Sequence, residues 1–383
     1  MTDVFLCAFK RTPIGRYGGS LAITRPDDLA AAVIDGLLGT HDLPIDEVIF
    51  GCANQAGEDN RNVARMATLL SRLGENTPAL TVNRLCASGL DAIITATRTI
   101  RDGAAEIIIA GGVESMSRAP LVMPKAETAF ARSPEIYDTT IGWRFIHQRI
   151  SARYGVESMP ETAENVAADF HISRADQDAF ALRSQSRYNA QWHAADILPI
   201  GAITHDEHPR TTTLEKLASL KTPFRNPGTV TAGNASGVND GAAGVILASA
   251  TAVKRYHLTP LARIGQAASA GVAPRIMGIG PVAALAKLTE KTGLKPQEFD
   301  VIELNEAFAV QVLACLRAWH IPDDAAHVNT YGGGISMGHP LGASGARIAG
   351  TAARRLYETG GKHALATLCV GVGQGVALSL HAV

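Results

Sequence analysis

Along the first hundred residues short apolar runs alternate with amphipathic ones. Val4–Phe9 predicts a strand and Asp27–Leu38 a helix, with Asp27 placed to cap it. Glu47–Phe50 predicts a short strand ending at Gly51, Arg61–Leu73 a helix and Ala79–Asn83 a strand. Ala87–Ile100 predicts a helix, with Leu90, Ile93, Ile94, Thr97 and Ile100 at helical spacing; Glu106–Ala110 predicts a strand stopped by Gly111-Gly112. Alternation of this kind argues a sheet covered by helices. Between about Met116 and Val238 charges and prolines multiply. A few helices read there, such as Glu161–Phe170 and Arg174–Trp192, and this stretch predicts an inserted, loop-rich lid or substrate surface. From about Gly244 the rhythm resumes. Val245–Ala248, Val301–Leu304, Ala364–Cys369 and Val376–His381 predict strands, and Pro281–Thr292, Ala307–Trp319 and Gly345–Thr359 predict helices. The two ends share this rhythm, each with a cysteine beside a strand end near glycines, which suggests an internal duplication.

The 383 residues suffice for two or three domains. The chain is 46% hydrophobic but only 5% aromatic and carries 37 glycines, as tightly packed α/β enzymes do. A net charge of −1 without a basic block gives no reason to expect nucleic acid. No apolar run reaches the roughly 18–20 residues that span a membrane, and the N-terminus lacks the order of a signal peptide. Cys7, Cys52, Cys86, Cys315 and Cys369 are odd in number and form no Cys-x-x-Cys. A disulfide scaffold and a structural metal site are therefore not expected, and a reducing, cytoplasmic setting is.

Cys86 stands between a predicted strand and a predicted helix, where orphan N–H groups and the helix dipole favour thiolate. A nucleophile of this kind needs a base and its products need oxyanion donors. His339 lies in a glycine-rich loop, Asn305-Glu306 at a strand-to-helix switch, and Cys369 opens Cys-Val-Gly-Val-Gly-Gln-Gly375. Each has a plain reading: a buried cysteine as a small hydrophobe, Asn305 or Glu306 as a helix cap, the histidine as a satisfied polar group. The glycines after Cys369 precede a strand rather than a helix, so they are not a dinucleotide fingerprint. Ser88 lacks the glycine two residues before it that a nucleophile elbow has.

Six stretches in order carry a resemblance to the thiolase family over essentially the whole chain: Asn83-Arg-Leu-Cys-Ala-Ser-Gly89, Gly111-Gly-Val-Glu-Ser-Met-Ser117, Thr231-Ala-Gly-Asn-Ala-Ser-Gly-Val-Asn-Asp-Gly241, Asn305-Glu-Ala-Phe308, Gly338-His-Pro-Leu-Gly-Ala-Ser-Gly-Ala-Arg347 and Cys369–Gly375. The resemblance implies two βαβαβαββ halves forming a five-layer αβαβα core. The first half would be 1–116, completed by about 238–257; a loop domain would span 117–237 and the second half 258–383. Carried over by motif, Cys86 is the acyl-accepting nucleophile, His339 its base and Cys369 the acid and base at the α-carbon of acetyl-CoA. Asn305 holds a water that with His339 forms one oxyanion hole, and the N–H groups of Cys86 and Gly371 form the second. Ser236 is a pantetheine contact, Ala232 and Gly233 bind coenzyme A or substrate, and Arg210 lies near the adenine nucleotide. Phe308 and Met159 are apolar walls. Coenzyme A is then a substrate rather than a resident cofactor, and a homo-oligomer, a dimer or homotetramer, is expected.

Gly51–Arg65, Asp138–Phe145, Ser158–Val166 and Ser269–Gly278 resemble most the β-ketoadipyl-CoA thiolases, which cleave 3-oxoadipyl-CoA to succinyl-CoA and acetyl-CoA in aromatic catabolism. Acetoacetyl-CoA thiolases and the 3-ketoacyl-CoA thiolases of β-oxidation are the alternatives. A decarboxylating ketoacyl synthase would use Cys-His-His, against the setting of Cys369, and a non-catalytic acyl-CoA-binding relative would not need both Cys86 and His339. His147, Gln148 and Tyr331 depart from the subclass pattern. A substrate ending in a carboxylate asks for a cation in the tunnel. Arg144, His147 and Arg149 are the candidates, with Arg144 inside the matching stretch.

Overall fold

The computed structural model describes residues 2–383. The first half runs β1 (Val4–Arg11), β2 (Gly15–Arg16), α1 (Pro26–Leu38), β3 (Glu47–Gly51), α2 (Val63–Leu70), β4 (Ala79–Val82), α3 (Ser88–Arg101) and β5 (Ile107–Ser115). The chain then leaves the sheet for β6 (Leu121–Val122), β7 (Tyr137–Asp138), α4 (Gln148–Tyr154), α5 (Met159–Asp169), α6 (Arg174–Arg187), α7 (Ala190–Ala194) and α8 (Leu214–Ala218). It returns as β8 (Asn239–Ser249) and α9 (Ala250–Arg255). The second half is β9 (Ala262–Gly271), α10 (Gly280–Thr292), β10 (Val301–Leu304), α11 (Ala309–Ala318), α12 (Gly334–Met337), α13 (Leu341–Thr359), β11 (His363–Val370) and β12 (Gln374–His381).

The main sheet has the order β10-β11-β12-β9-β1-β8-β5-β3-β4, with β2 paired to β8. Among the described residues the sheets of the two halves join where Phe5 and Leu6 of β1 face Arg263 and Ala262 of β9. Strand alternation sorts the core into layers. On β5, Ile108 and Ala110 face a middle layer and Ile107 and Ile109 an outer one. On β11, Ala364, Ala366 and Leu368 face the same middle layer, and Leu365 and Cys369 the other outer one. The middle layer is α3 and α13, packed on each other and on strands of both halves. Helices α1 and α2 cover the first half; α10 and α11, joined by α5 and α6, cover the second. This is the expected five-layer α/β architecture. Where α3 and α13 cross, a Cβ on Gly89 would meet the Gly342 carbonyl and one on Gly345 the backbone of Leu90, so glycine sets the approach of the two helices.

The halves repeat one another in register. Gly51 pairs with Gly112 and Leu304 with Thr367, in parallel. Two residues on, Glu114 faces Gly241 and Cys369 faces Gly375 across antiparallel pairs. Asp46, which accepts from the N–H groups of Glu106 and Ile107, matches Asp300, which accepts from those of Lys362 and His363; Cys369 therefore matches Val113 and Asn305 matches Gly51, with Glu114 and Cys52 each one residue further on.

Several elements differ from the sequence reading. Strand β8 is far longer than Val245–Ala248, and β9 lay hidden in a stretch with mixed exposure. The single helix expected over Arg174–Trp192 breaks at Tyr188-Asn189. There the Tyr188 hydroxyl donates to Asp206, its ring stacks on His193, and Asn189 caps α7.

Candidate active site

Cys86 sits in a 3-10 turn, Leu85–Ala87, between β4 and α3. Ser88 locks the turn: its Oγ accepts from the Arg84 N–H (2.9 Å) and donates to the Leu85 carbonyl (2.6 Å). The turn packs against α13 and β11. The Cys86 thiol is partly exposed into a cavity, but the protein around it pushes its pKa up to about 11. Burial is the main cause; the N–H groups of Gly371 and of Cys86 itself pull the other way, and the charge of Glu114 adds to the rise. The helix end alone thus does not make a resting thiolate, contrary to the sequence argument. Desolvation outweighs the two N–H donors, so the thiol needs a base.

His339 follows Gly338, whose φ of 107° few other residues adopt. Its N–H donates to Asn239 Oδ1 (2.9 Å). Its Nδ1 lies 2.6 Å from Ser344 Oγ, and that hydroxyl donates its only proton to the Pro340 carbonyl (2.8 Å). Nδ1 must therefore carry the proton and donate it, which leaves the lone pair on Nε2. Asn305 Nδ2 approaches that nitrogen at 3.3 Å. Burial, then the charge of Arg347, lowers the His339 pKa to about 3, so the ring is a neutral base at ordinary pH.

Asn305 and Glu306 do not cap the next helix: α11 begins at Ala309 after Phe308, without a side-chain cap. Glu306 instead accepts from Ser184 Oγ (2.6 Å), Asn329 Nδ2 (2.9 Å) and the Ile335 N–H (3.1 Å), tying the loop that carries His339 to β10 and α6. Cys369 is buried on β11, and its pKa stands well above the ordinary cysteine value through burial and through charge on Cys86 and Cys315. It stays a protonated thiol. Gly371 opens the β11–β12 turn, where Val372 and Gly373 both have positive φ and the Gly371 N–H is turned onto the Cys86 sulfur.

A cavity of about 380 Å³ opens over the thiol, lined in part by Ala53, Asn54, Cys86, Arg144, Met159 and Gly371. Arg144 reaches it from the insertion, its Nη2 donating to Asn54 Oδ1 (3.1 Å). His147 is spent as the cap of α4, accepting from the Arg149 N–H, and both it and Arg149 are exposed. Gln148 begins α4, and Tyr331 stacks on Trp192, away from this cavity. Phe308 is buried and pairs with Ala235, and the Ser236 N–H donates to the Ala307 carbonyl (2.9 Å), so the 234–236 segment runs beside the Asn305–Phe308 stretch. Arg210 lines a separate depression with Gln185 and Tyr188, its Nη2 donating to the Ala232 carbonyl (3.1 Å). Gly233 turns there, its N–H donating to Thr231 Oγ1.

The structure therefore brings Cys86 together with Cys369 and the Gly371 N–H, and His339 together with Asn305 just before α13, the helix that packs on the Cys86 turn, with Met159 and Arg144 on the cavity wall. Phe308, Ser236, Ala232, Gly233 and Arg210 lie along the neighbouring insertion. Sequence reasoning missed Ser344, five residues after His339 on the first turn of α13, a spacing that would have flagged it. It also missed the bonding of Glu114 and Glu306, which no local signal carries.

The Thiolase, N-terminal domain family matches residues 4–251 and the Thiolase, C-terminal domain family residues 258–382. A β-ketoadipyl-CoA thiolase of Pseudomonas putida is 58% identical, with 100% of both chains covered. A 3-oxoadipyl-CoA/3-oxo-5,6-dehydrosuberyl-CoA thiolase of Escherichia coli K12 is 55% identical over the same shares. The crystal structure of human mitochondrial 3-ketoacyl-CoA thiolase in complex with CoA superposes with a TM-score of 0.92 at 39% identity, covering 100% of this chain and 98% of that one.

Proposed function

The chain belongs to the thiolase family, and from that membership we propose that it converts 3-oxoadipyl-CoA and CoA to succinyl-CoA and acetyl-CoA through an acyl group on Cys86. It is an acyltransferase with coenzyme A as a substrate. His339 Nε2 takes the Cys86 proton, and the thiolate adds to the 3-oxo carbon. The N–H groups of Cys86 and Gly371 receive the oxyanion. The C2–C3 bond then breaks, and the electron pair becomes the enolate of acetyl-CoA, whose oxygen charge falls to Asn305 and His339. Cys369 gives its proton to the enolate carbon and releases acetyl-CoA. The Cys369 thiolate next takes the proton of incoming CoA, whose sulfur displaces the acyl group from Cys86, and His339 returns its proton to Cys86. Donors fixed in advance suit an enolate that water would not stabilise.

The observation that supports this reading is a pair of neighbouring groups on elements packed together: a thiol with N–H donors on its sulfur beside a second buried thiol, and a neutral histidine whose unprotonated Nε2 has an amide beside it. The acyl choice is supported by Arg144 on the cavity wall and by the names of the two relatives. The cytosol is supported by five free thiols. Self-association is supported by β4, a sheet-edge strand with exposed Leu80, beside exposed Leu69 and Leu70. Among the described residues no helix is long and apolar enough to cross a membrane. A steady-state survey with free CoA tests the reading. The highest kcat/KM is expected for 3-oxoadipyl-CoA; preference for acetoacetyl-CoA or long neutral chains overturns the substrate, and no thiolysis of any 3-oxoacyl-CoA overturns the activity.

A further inference from the structure

Glu114 has no part in the roles above, yet it ends β5 directly behind the cavity. It is 1% exposed. Its Oε2 accepts from the N–H groups of Ala53 (2.9 Å) and Gly342 (2.8 Å), and its Oε1 from that of Asn54 (3.0 Å). Ala53 and Asn54 form one wall of the cavity. Gly342 is the second residue of α13, after the cavity-lining Leu341 and three residues beyond His339. Charge-assisted bonds of this kind are the strong ones, and the start of a helix favours an anion. Cys52 and Asp59 approach as well, Cys52 Sγ lying 3.5 Å from Asp59 Oδ2 and 3.9 Å from Glu114 Oε1. These three side chains lie close enough to chelate a cation. The Glu114 oxygens are instead turned onto backbone donors, which favours a clamp.

We propose that Glu114 is a positioning residue for acyl transfer: it clamps the Ala53–Asn54 wall to the start of α13 and so fixes the cavity and the His339 ring relative to Cys86. This rests on Cys86 and His339 as nucleophile and base. A carboxylate is required because an amide would turn its NH2 toward the Asn54 N–H. The negative charge itself works against a Cys86 thiolate. Positioning and charge therefore act in opposite directions, and the two can be separated.

The test uses full-length Glu114→Gln, assayed for thiolysis of acetoacetyl-CoA, for iodoacetamide alkylation of Cys86 against pH, and for thermal unfolding. The elements packed against the Cys86 turn carry other titratable groups, namely Cys369 and His363 on β11, Asp91, Arg98 and Arg101 on α3, and Arg347, Arg354, Arg355, Tyr357 and Glu358 on α13; these, His339 just before α13 and Arg84 just before the turn are all unchanged in the variant. The expected result is a kcat lower by about 10–100-fold with a smaller change in KM, as misplacement of reacting groups gives. The alkylation profile should move to lower pH at the same time. Glu114→Asp, which keeps the charge on a shorter arm, should lose kcat without the alkylation shift. Parental kcat in either folded variant overturns the proposal. So does a fall in kcat that follows lost thermal stability while the Gln alkylation profile stays in place. If Glu114→Gln does not fold, the kcat of Glu114→Asp decides alone. Full activity of Cys86→Ala would instead overturn the reading on which the proposal rests.

Discussion

Corresponding sheet ends of the two halves have taken opposite careers. In the second half β10 delivers Asn305 beside His339, and β11 delivers Cys369 beside Cys86. In the first half the ends of β3 and β5 carry Cys52 and Glu114, each one residue past the position that matches Asn305 or Cys369, and these are closed beneath Ala53, Asn54 and Gly342. The connections explain the difference. The turn from β11 to β12 is only Gly371-Val372-Gly373, so a backbone N–H from it can reach the Cys86 sulfur. The chain between β5 and β8 runs instead through residues 116–238, and β5 stays buried along its whole length. A duplicated frame thus offers two sheet-end clusters: one is used for chemistry, the other holds its walls.

The sharpest way to break this comparison is at the nucleophile. Cys86→Ala should lose at least about 10⁴-fold in kcat, as removal of a catalytic nucleophile does. Peptide mass spectrometry after incubation with acyl-CoA should find the parent's acyl group on Cys86; an adduct on Cys369 alone would reverse the roles of the two thiols. Cys369→Ala comes next, with about 10²–10⁴-fold lost in turnover. Acylation of Cys86 from a simple acyl-CoA should survive, while exchange of acetyl-CoA α-protons, followed by NMR in deuterium oxide, should vanish. Asn305→Ala should cost about 10²–10³ in kcat with KM little moved. Cys52→Ala, at the corresponding sheet end of the first half, should keep a kcat near the parent's, and equal losses in the two would show that the halves do not differ as described. Arg144→Ala should lower kcat/KM for 3-oxoadipyl-CoA about tenfold, or 1.4 kcal/mol, and leave acetoacetyl-CoA nearly unchanged. Equal losses on both substrates would make Arg144 structural.

The smallest effect is on stability, and its sign differs between halves. His339 is held neutral, with a native pKa of about 3 below an ordinary value of 6.5. The unfolded chain therefore binds a proton that the native one refuses, and this share of stability, full above pH 6.5, is lost as pH falls toward 3. Glu114 has a native pKa of about 7, above 4.5, chiefly through burial. Its share is full below pH 4.5 and is lost as pH rises toward 7. Urea unfolding of His339→Asn should show a flatter acid side than the parent, and Glu114→Gln should lose less stability, or gain more, than the parent as pH rises from 5 to 7.

The sequence made the site legible and left its support unread. Six motifs put Cys86, His339, Asn305, Cys369 and Gly371 in view because each sits at a strand end or turn where residue type is constrained locally. The helix-end argument for Cys86 went wrong for a related reason: a dipole is local, whereas burial belongs to the whole fold. Strand β9 escaped because its faces mix small, polar and charged residues, and the break in α6 because Tyr188 answers to Asp206 and His193 rather than to helix propensity. Ser344 was within reach by spacing alone. Glu114 was visible as a letter in a motif, but its role depends on pairing with Gly241 and on a helix more than two hundred residues away.

The seam at β1 has a consequence for how the chain comes into being. β1 is flanked by β8 and β9, and β5 by β8, so two inner strands of the first half lack a neighbour until residues beyond 238 have been made. At the usual 5–20 residues per second the stretch from the end of β5 to the end of β8 takes on the order of seven to thirty seconds. Throughout it, Ile107–Ile109 present an unpaired apolar edge, the surface most prone to stray association. In the second half β11 and β12 are neighbours in sequence and close on each other as soon as both emerge, so only β9, which waits for β12, shares this hazard.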